Sequence, residues 1–181
     1  IEEITKDSDT LFLTVPDGTI GEIWDDMRNL PIKNKNICHC SGSIPSTVFF
    51  DAENRGAYRY SIHPLYAISS KATSYLDLGK ACFTIEGSDA HLAELKALFS
   101  EMGNTVVAIS PDSKALYHAA AVMVSNQIVA LADMGTVLLV KCGFSEAAAA
   151  EALSPLLLGN AQSVAEKGAV NALTGPIERG D

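Results

Sequence analysis

The stretch Leu11-Phe12-Leu13-Thr14-Val15-Pro16-Asp17-Gly18 decides the fold of this chain. Leu11 to Val15 is a β-rich run with almost no polar interruption, which is typical of a central strand in a parallel sheet. Pro16-Asp17-Gly18 ends the strand, and apolar residues then recur at helical spacing between Thr19 and Leu30. A strand that turns directly into a helix predicts one half of a βαβ unit.

The same alternation continues outward from this stretch. The further predicted elements, each bounded by turn-forming residues, are strands at 36–40, 56–63, 81–87 and 104–110 and helices at 45–54 and 89–102. Pro64 is expected to stop the strand at 56–63, and Asp89 is expected to cap the helix at 89–102. The pattern predicts an α/β fold with a partial Rossmann-type parallel sheet, whose first βαβ unit is expected to lie before Ile1.

The sequence changes character after Pro111 and becomes helical to its end. The pattern predicts helices at 112–142, 145–158 and 159–173, with Gly143 and Gly159 as breaks. We therefore expect a domain at 1–111, the second half of a Rossmann-like dinucleotide-binding domain, and a truncated all-helical C-terminal domain at 112–181 for dimerisation or substrate. The apolar stretch from Ala119 to Val140 contains four polar residues, so we interpret it as a helix buried in a bundle or dimer and not as a membrane span.

Composition narrows the class of partner. The 181 residues carry a net charge of −9, which argues against nucleic acid or an anionic membrane as the main partner. The acidic start of the chain does not resemble a signal peptide, and a cytoplasmic location is expected. Cys38 and Cys40 flank His39, but no second cluster completes a four-ligand site, so we predict no metal and cysteines that are mostly buried in a reducing compartment.

Three predicted strand ends carry small or turn-forming residues, at Val15-Pro16-Asp17, Ser41-Gly42 and His63-Pro64. Ligands of open α/β sheets bind at the carboxyl ends of parallel strands, and small residues let a cofactor approach the backbone. These residues are therefore candidates for cofactor binding. The alternative is that turns need such residues in any case. No G-x-G-x-x-G fingerprint occurs in the sequence.

A polar stripe marks the first predicted helix of the C-terminal part. On one continuous helix, Lys114, His118 and Ser125 fall within roughly 40° of one another, with Asn126 at the edge of that face. Lys114 or His118 would then exchange a proton with a substrate, and Ser125 and Asn126 would hydrogen-bond it. The alternative is a solvated Lys114 and a His118 that only satisfies the core or an interface.

Arg179 lies in the turn that closes the chain. Its guanidinium is a candidate for a bidentate clamp on a substrate carboxylate or phosphate. The alternative is a helix cap followed by a surface loop.

Five stretches, taken in order, carry a resemblance to a known family. They are Leu13-Thr14-Val15-Pro16-Asp17, Cys40-Ser41-Gly42-Ser43, Ser61-Ile62-His63-Pro64-Leu65, residues 112–121 and residues 173–181. The chain resembles the Rossmann-like proteins followed by a helical domain of unknown function. These are relatives of the phosphogluconate dehydrogenase, pyrroline-carboxylate reductase and ketopantoate reductase group.

The resemblance implies an NAD- or NADP-binding domain, a helical domain that often forms a homodimer, and an active site between the two. Carried onto this sequence, it places Lys114, His118 and Asn126 against the nicotinamide and substrate, although the spacing to Asn126 exceeds the Lys-x-x-x-Asn of several relatives. It also places Val15, Pro16, Ser41 and Gly42 near the cofactor. The implied function is hydride transfer to or from an unknown small molecule. The alternative is a non-catalytic binding or scaffold protein that dimerises through its helical domain.

Overall fold

The computed structural model describes residues 1–175, and the chain divides into two compact units. The first unit runs from Ile1 to Ala121, and the second begins at Val122. The division therefore falls inside a helix, whereas the change in composition lies at Pro111. The first turns of that helix pack with the sheet, which explains why they belong to the first unit.

The first unit is built on one five-stranded sheet in the order β1-β2-β3-β4-β5. Its strands are β1 Thr10–Leu13, β2 Asn36–His39, β3 Tyr58–Leu65, β4 Cys82–Gly87 and β5 Thr105–Ala108. β1, β2 and β3 are parallel, β4 is antiparallel to β3, and β5 is parallel to β4. The predicted α/β fold with a mostly parallel sheet is confirmed.

The antiparallel step between β3 and β4 was not predicted. Leu65 at the end of β3 pairs with Cys82 at the start of β4, so the connection returns to the edge of the sheet from which it left. β3 also runs through Pro64, which pairs with Phe83, so the prediction that Pro64 stops the strand is wrong by two residues.

The helices are α1 Glu2–Asp7, α2 Ile20–Met27, α3 Leu92–Glu101, α4 Lys114–Val124, α5 Asn126–Lys141 and α6 Glu146–Ala172. The helix predicted at 45–54 is instead a pair of short 3-10 turns, at Ser46–Val48 and Glu53–Arg55. Asp89 does not cap α3, which begins after His91. Gly159 does not break α6, whose backbone departs from helical geometry at Gly168 (φ 76°).

The predicted helix at 112–142 is two helices. Ser125 has ψ −71° and φ −112°, which separates α4 from α5 at the polar segment Ser125-Asn126-Gln127. By length and composition alone, the stretch Pro111–Lys141 could cross a membrane. None of the 18 residues in its most apolar part is buried. The expectation that Ala119–Val140 is buried in a bundle within this chain is therefore wrong, and its burial in a dimer stays a prediction.

The core of the first unit covers both faces of the sheet. Ile37 belongs to a cluster with Trp24 and Phe49, whereas its neighbour Cys38 belongs to a cluster with Tyr60, because successive strand residues point to opposite faces. Of the four free cysteines, Cys142 is exposed and the other three are buried or half-buried. This agrees with cysteines that serve mainly as small core residues.

In the second unit, helices α5 and α6 pack through small residues. A Cβ on Gly135 would lie 3.1 Å from Leu153, so glycine permits the close approach. Ser145 caps α6 by accepting a hydrogen bond from the Ala148 N–H at 3.2 Å. Few side chains of this unit are buried, and Leu131, Met134, Leu138 and Leu156 are all more than half exposed.

Candidate active site at the carboxyl edge of the sheet

The carboxyl ends of β1, β2 and β3 lie at one edge of the sheet because the three strands are parallel. β2 ends at His39, which pairs with Ser61, and β3 continues for four residues beyond that pair. His63 therefore stands just past the end of β2, beside the loop of Ser41, Gly42 and Ser43. The sequence prediction that these strand ends meet is confirmed by this register.

Lys114, the first residue of α4, reaches into this edge and is only 2% exposed. Its Nζ donates hydrogen bonds to the Ser41 carbonyl and to the Ser61 hydroxyl, each at 2.8 Å. The Ser61 hydroxyl in turn donates to the Ser41 carbonyl at 3.2 Å. The alternative of a solvated Lys114 is excluded, since the ammonium instead ties α4 to the ends of β2 and β3.

The buried ammonium has buried counter-charge nearby. Burial lowers the pKa of Lys114, while the charges of Glu86, Asp17 and Cys40 oppose this effect. Glu86 is 1% exposed, and its carboxylate accepts hydrogen bonds from the Ser46 N–H and hydroxyl, both at 2.7 Å. Glu86 lies beside Ser61 in the sheet register, so the anion sits on the strand next to the hydroxyl that binds Lys114.

Asp17 joins the end of β1 to the loop after β2. Its Oδ2 accepts hydrogen bonds from the hydroxyls of Ser41 at 2.7 Å and Ser43 at 3.0 Å. The Ser41 hydroxyl also accepts from the backbone N–H groups of Ser43 and Ile44. Asp17 and Ser41 thus fix the shape of the loop, and their predicted role in binding a cofactor remains a prediction.

The position of Gly42 has no room for a side chain because the His63 ring occupies the adjacent space. A Cβ at Gly42 would lie 2.8 Å from Nε2 of His63. Gly42 was expected to leave room for a cofactor, and this face of the glycine instead receives an imidazole from the same chain. The effect of the contact is to hold the His63 ring against the loop.

The other ring nitrogen of His63, Nδ1, lies 2.6 Å from the hydroxyl of Tyr117 on α4. The two rings meet edge to face, with centroids 5.6 Å apart at 83°. Burial lowers the pKa of His63 to about 4, and the positive charges of Lys114 and His118 add to that shift. Burial also raises the pKa of Tyr117. At neutral pH, therefore, His63 is uncharged and Tyr117 carries its proton.

A second histidine lies beneath the loop. His39 is fully buried, and its Nδ1 accepts a hydrogen bond from the Ser41 N–H at 3.2 Å. That bond assigns the ring proton to Nε2, which has no hydrogen-bond partner among the described residues. Burial lowers the pKa of His39 to about 4.

The remaining predicted residues are distributed over both units. In the first unit, His118, Val15 and Pro64 are half-buried and Pro16 is exposed. In the second, the Ser125 hydroxyl donates to Oδ1 of Asn126 at 2.9 Å, and both residues are exposed. The single helical face that was to unite Lys114, His118 and Ser125 does not exist, because α4 ends at Val124. Arg179 lies outside the described residues.

Sequence reasoning missed Glu86 and Tyr117. Glu86 did leave a signal, since it is the only charged residue in the apolar run of β4 and a buried charge needs partners. Tyr117 left a weaker signal. It lies three residues after Lys114, close to the same helical face. An uncharged aromatic residue beside alanines, however, is equally consistent with a residue that only packs in the core.

The family described as a domain of unknown function, DUF2520, matches residues 81–181. Protein TM1727 from Thermotoga maritima is similar in structure, with 30% identity and a TM-score of 0.80 over 96% of this chain and 66% of its own. BF3122 from Bacteroides fragilis, described as a candidate NADP oxidoreductase, has 24% identity and a TM-score of 0.73 over 96% of this chain and 64% of its own.

More distant relatives share the fold. A pyrroline-5-carboxylate reductase from Coxiella burnetii has 12% identity and a TM-score of 0.61, over 99% of this chain and 68% of its own. No curated protein matches the chain. The chain thus spans about two thirds of the length of these solved structures, and its fold is Rossmann-like, as the resemblance implied.

Proposed function

Because the chain belongs to the DUF2520 family and has a Rossmann-like fold, we propose that the protein is an NAD- or NADP-dependent oxidoreductase acting on a small molecule. The observation that carries the proposal is the convergence of Lys114, His63 and Tyr117 just beyond the carboxyl end of β2, at the edge where the parallel strands β1 and β2 stop. This edge is where open α/β sheets bind their ligands. Buried ionisable groups with shifted pKa values at such an edge are typical of functional sites.

The residues present at this edge fit the nicotinamide end of such a cofactor. Val15 and Pro16 offer apolar surface at the end of β1, and the Asp17 carboxylate is already occupied by two serine hydroxyls. A nicotinamide ring needs a flat apolar contact, which Val15 and Pro16 would provide in this proposal, and hydrogen-bonding partners for its amide. The cofactor, when bound, supplies the hydride chemistry.

The chain's own residues supply position and protons. Lys114 holds the loop after β2 through the Ser41 carbonyl and keeps a positive charge at the sheet edge. In this proposal His118 and Asn126 remain candidates for contact with the substrate or nicotinamide, and Ser125 and Arg179 remain candidates for substrate binding. The cytoplasmic location is likewise carried forward as part of the proposal.

The test is ligand-dependent stability of the full-length protein. A ligand that binds only the native state raises its stability by about 2.7 kcal/mol at a hundredfold excess over Kd. We expect NADPH or NADH to raise Tm, and ATP, which lacks the nicotinamide, to raise it less. Equal melting curves with and without saturating NADPH and NADH would refute the proposal in favour of a non-catalytic scaffold.

We also propose that the second unit forms a homodimer with another copy of the chain. Its exposed leucines and methionine form a surface that a soluble monomer seldom leaves open. We favour a second copy over a membrane as the partner, since Ser125, Asn126, Gln127 and Asp133 interrupt the apolar part of the stretch Pro111–Lys141. Sedimentation of the full-length protein should show twice the mass of one chain.

A further inference from the structure

The proposed function leaves the hydroxyl of Tyr117 without a role, although it belongs to the same cluster. It lies 2.6 Å from Nδ1 of His63, a short contact for a neutral pair. Tyr117 is half-buried, whereas Lys114 on the same helix is 2% exposed. A substrate that reaches this edge therefore meets the phenol, and not the ammonium.

The Lys114 ammonium is already held by two hydrogen bonds within the protein. Two of its three N–H groups bind the Ser41 carbonyl and the Ser61 hydroxyl, and moving the ammonium would break both of these buried hydrogen bonds. Its Nζ lies 5.6 Å from the centroid of the Tyr117 ring. At that distance a cation stabilises negative charge that develops on the phenol oxygen.

His63 is held in place to orient the phenol. One side of its ring abuts Gly42, where a Cβ would come within 2.8 Å, and the other side meets the edge of the Tyr117 ring. The imidazole has little freedom to rotate, so the Nδ1 to Oη contact fixes the direction of the hydroxyl. The pair stands past the end of β2, next to the residues proposed to contact the nicotinamide.

We propose that Tyr117 is the catalytic proton donor of this site and that His63 is its positioning residue, an inference that rests on the proposed function. In the reducing direction, the carbon of a substrate C=O or C=N bond accepts the hydride and its two electrons from the reduced nicotinamide, which becomes oxidised. The substrate oxygen or nitrogen accepts the proton of the Tyr117 hydroxyl. His63 Nδ1–H and the Lys114 ammonium stabilise the phenolate, which then takes a proton from water.

Ionisation states agree with these roles. The lowered pKa of His63 keeps the ring neutral, and the role proposed for it requires the tautomer that carries the proton on Nδ1. The raised pKa of Tyr117 keeps the phenol protonated before the transfer. Glu86, bound to Ser46 and near Lys114, balances the cation that faces the phenol ring.

The experiment compares Tyr117→Phe and His63→Gln with the unaltered full-length protein. Tyr75→Phe is the matched control, since Tyr75 is 64% exposed in the connection between β3 and β4. NADPH affinity is measured by titration, and NADPH oxidation is measured with a panel of small aldehydes, ketones and cyclic imines. Nitrogen-15 spectra of the His63 ring are recorded with and without NADPH.

We expect Tyr117→Phe to bind NADPH normally and to lose turnover by about 10²–10⁴-fold, the usual contribution of a general acid. His63→Gln should lower kcat less and shift the alkaline limb of the pH profile, because it alters the phenol and does not remove it. Tyr75→Phe should match the unaltered protein. In the ring spectra, NADPH should move the His63 nitrogen signals, and Tyr117→Phe should move them even without NADPH.

The outcomes separate the two proposals. If the unaltered protein binds neither NADPH nor NADH, the proposed function fails and this inference fails with it; if it binds only NADH, NADH replaces NADPH in every measurement. If it binds NADPH and Tyr117→Phe turns over at the normal rate, only the role of Tyr117 is overturned. If NADPH binds but no compound is reduced, unchanged His63 signals on NADPH binding overturn the inference, and shifted signals support it.

Discussion

The two units of this chain differ in the side chains that they bury: the first buries charged and polar groups, and the second leaves large apolar groups exposed. The sheet unit buries Lys114, Glu86 and His39, and gives the first two hydrogen-bond partners. The helical unit leaves Leu131 and Leu138 about 60% exposed, at 63% and 61%. The first unit thus pairs its buried lysine and glutamate within itself, whereas the second leaves large apolar side chains exposed, which is the basis for proposing a homodimer.

The largest expected effect comes from the buried ammonium. Lys114→Met should destabilise the protein by about 3–5 kcal/mol, because it leaves the buried Glu86 carboxylate with less compensating charge and removes the charged donor from the Ser41 carbonyl and the Ser61 hydroxyl. Denaturant unfolding measures the change. Lys96→Met, on the exposed surface of α3, is the control and should change stability by less than about 0.5 kcal/mol. Equal effects of the two substitutions would contradict the view that the first unit depends on its buried charges.

Acid should destabilise the sheet unit through His39. Its pKa falls from an ordinary 6.5 to about 4 on folding, so the unfolded state binds more protons between these values. The contribution is complete above pH 6.5 and is lost as the pH falls toward 4, with a total of about 2–3 kcal/mol. His63 titrates over the same window, so His39→Gln should make the stability profile less steep without removing the whole slope. If the stability of the variant depended on pH as steeply as that of the unaltered protein, His39 would not be a cause of the acid sensitivity.

The contact between Gly42 and His63 should appear as a coupled pair. Gly42→Ala places a Cβ 2.8 Å from the imidazole and should cost about 1–3 kcal/mol by overpacking. The same substitution in a His63→Ala background should cost much less, which a double-mutant cycle measures. Gly18→Ala is the matched control, since nothing lies within 4 Å of its Cβ position. Additive effects of the two changes would show that the ring does not press on the glycine.

The smallest effect on monomer stability is expected in the helical unit. Leu138→Gln alters a side chain that is 61% exposed, so unfolding of the single chain should change by less than about 0.5 kcal/mol. Association should weaken strongly, as sedimentation over a range of concentrations would show. Lys167→Gln, on α6, should leave both properties unchanged. A Leu138→Gln variant that dimerises normally would indicate that another surface of the chain forms the interface.

Much of the site was predictable because its parts are strand ends. The positions of Asp17, Ser41 and Gly42 follow from where β1 and β2 stop, whereas His63 lies inside β3 and reaches this loop because β3 runs four residues past its pair with the end of β2. The prediction went wrong where it extended one helix past Ser125. Angles of about 100° per residue hold only while the backbone stays helical, so Ser125 and Asn126 cannot be placed on the face of Lys114.

The amino-acid sequence was enough to predict the alternation of strands and helices, the mostly parallel sheet and the edge where polar residues gather. These features depend on hydrophobic periodicity and turn residues, which act over only a few positions of the chain. Three features could be seen only in the folded chain. Tyr117 contacts His63 although the two are 54 residues apart, Lys114 is buried, and the His63 ring fills the space beside Gly42. Such pairings depend on how whole elements pack in three dimensions, and a linear pattern does not contain that information.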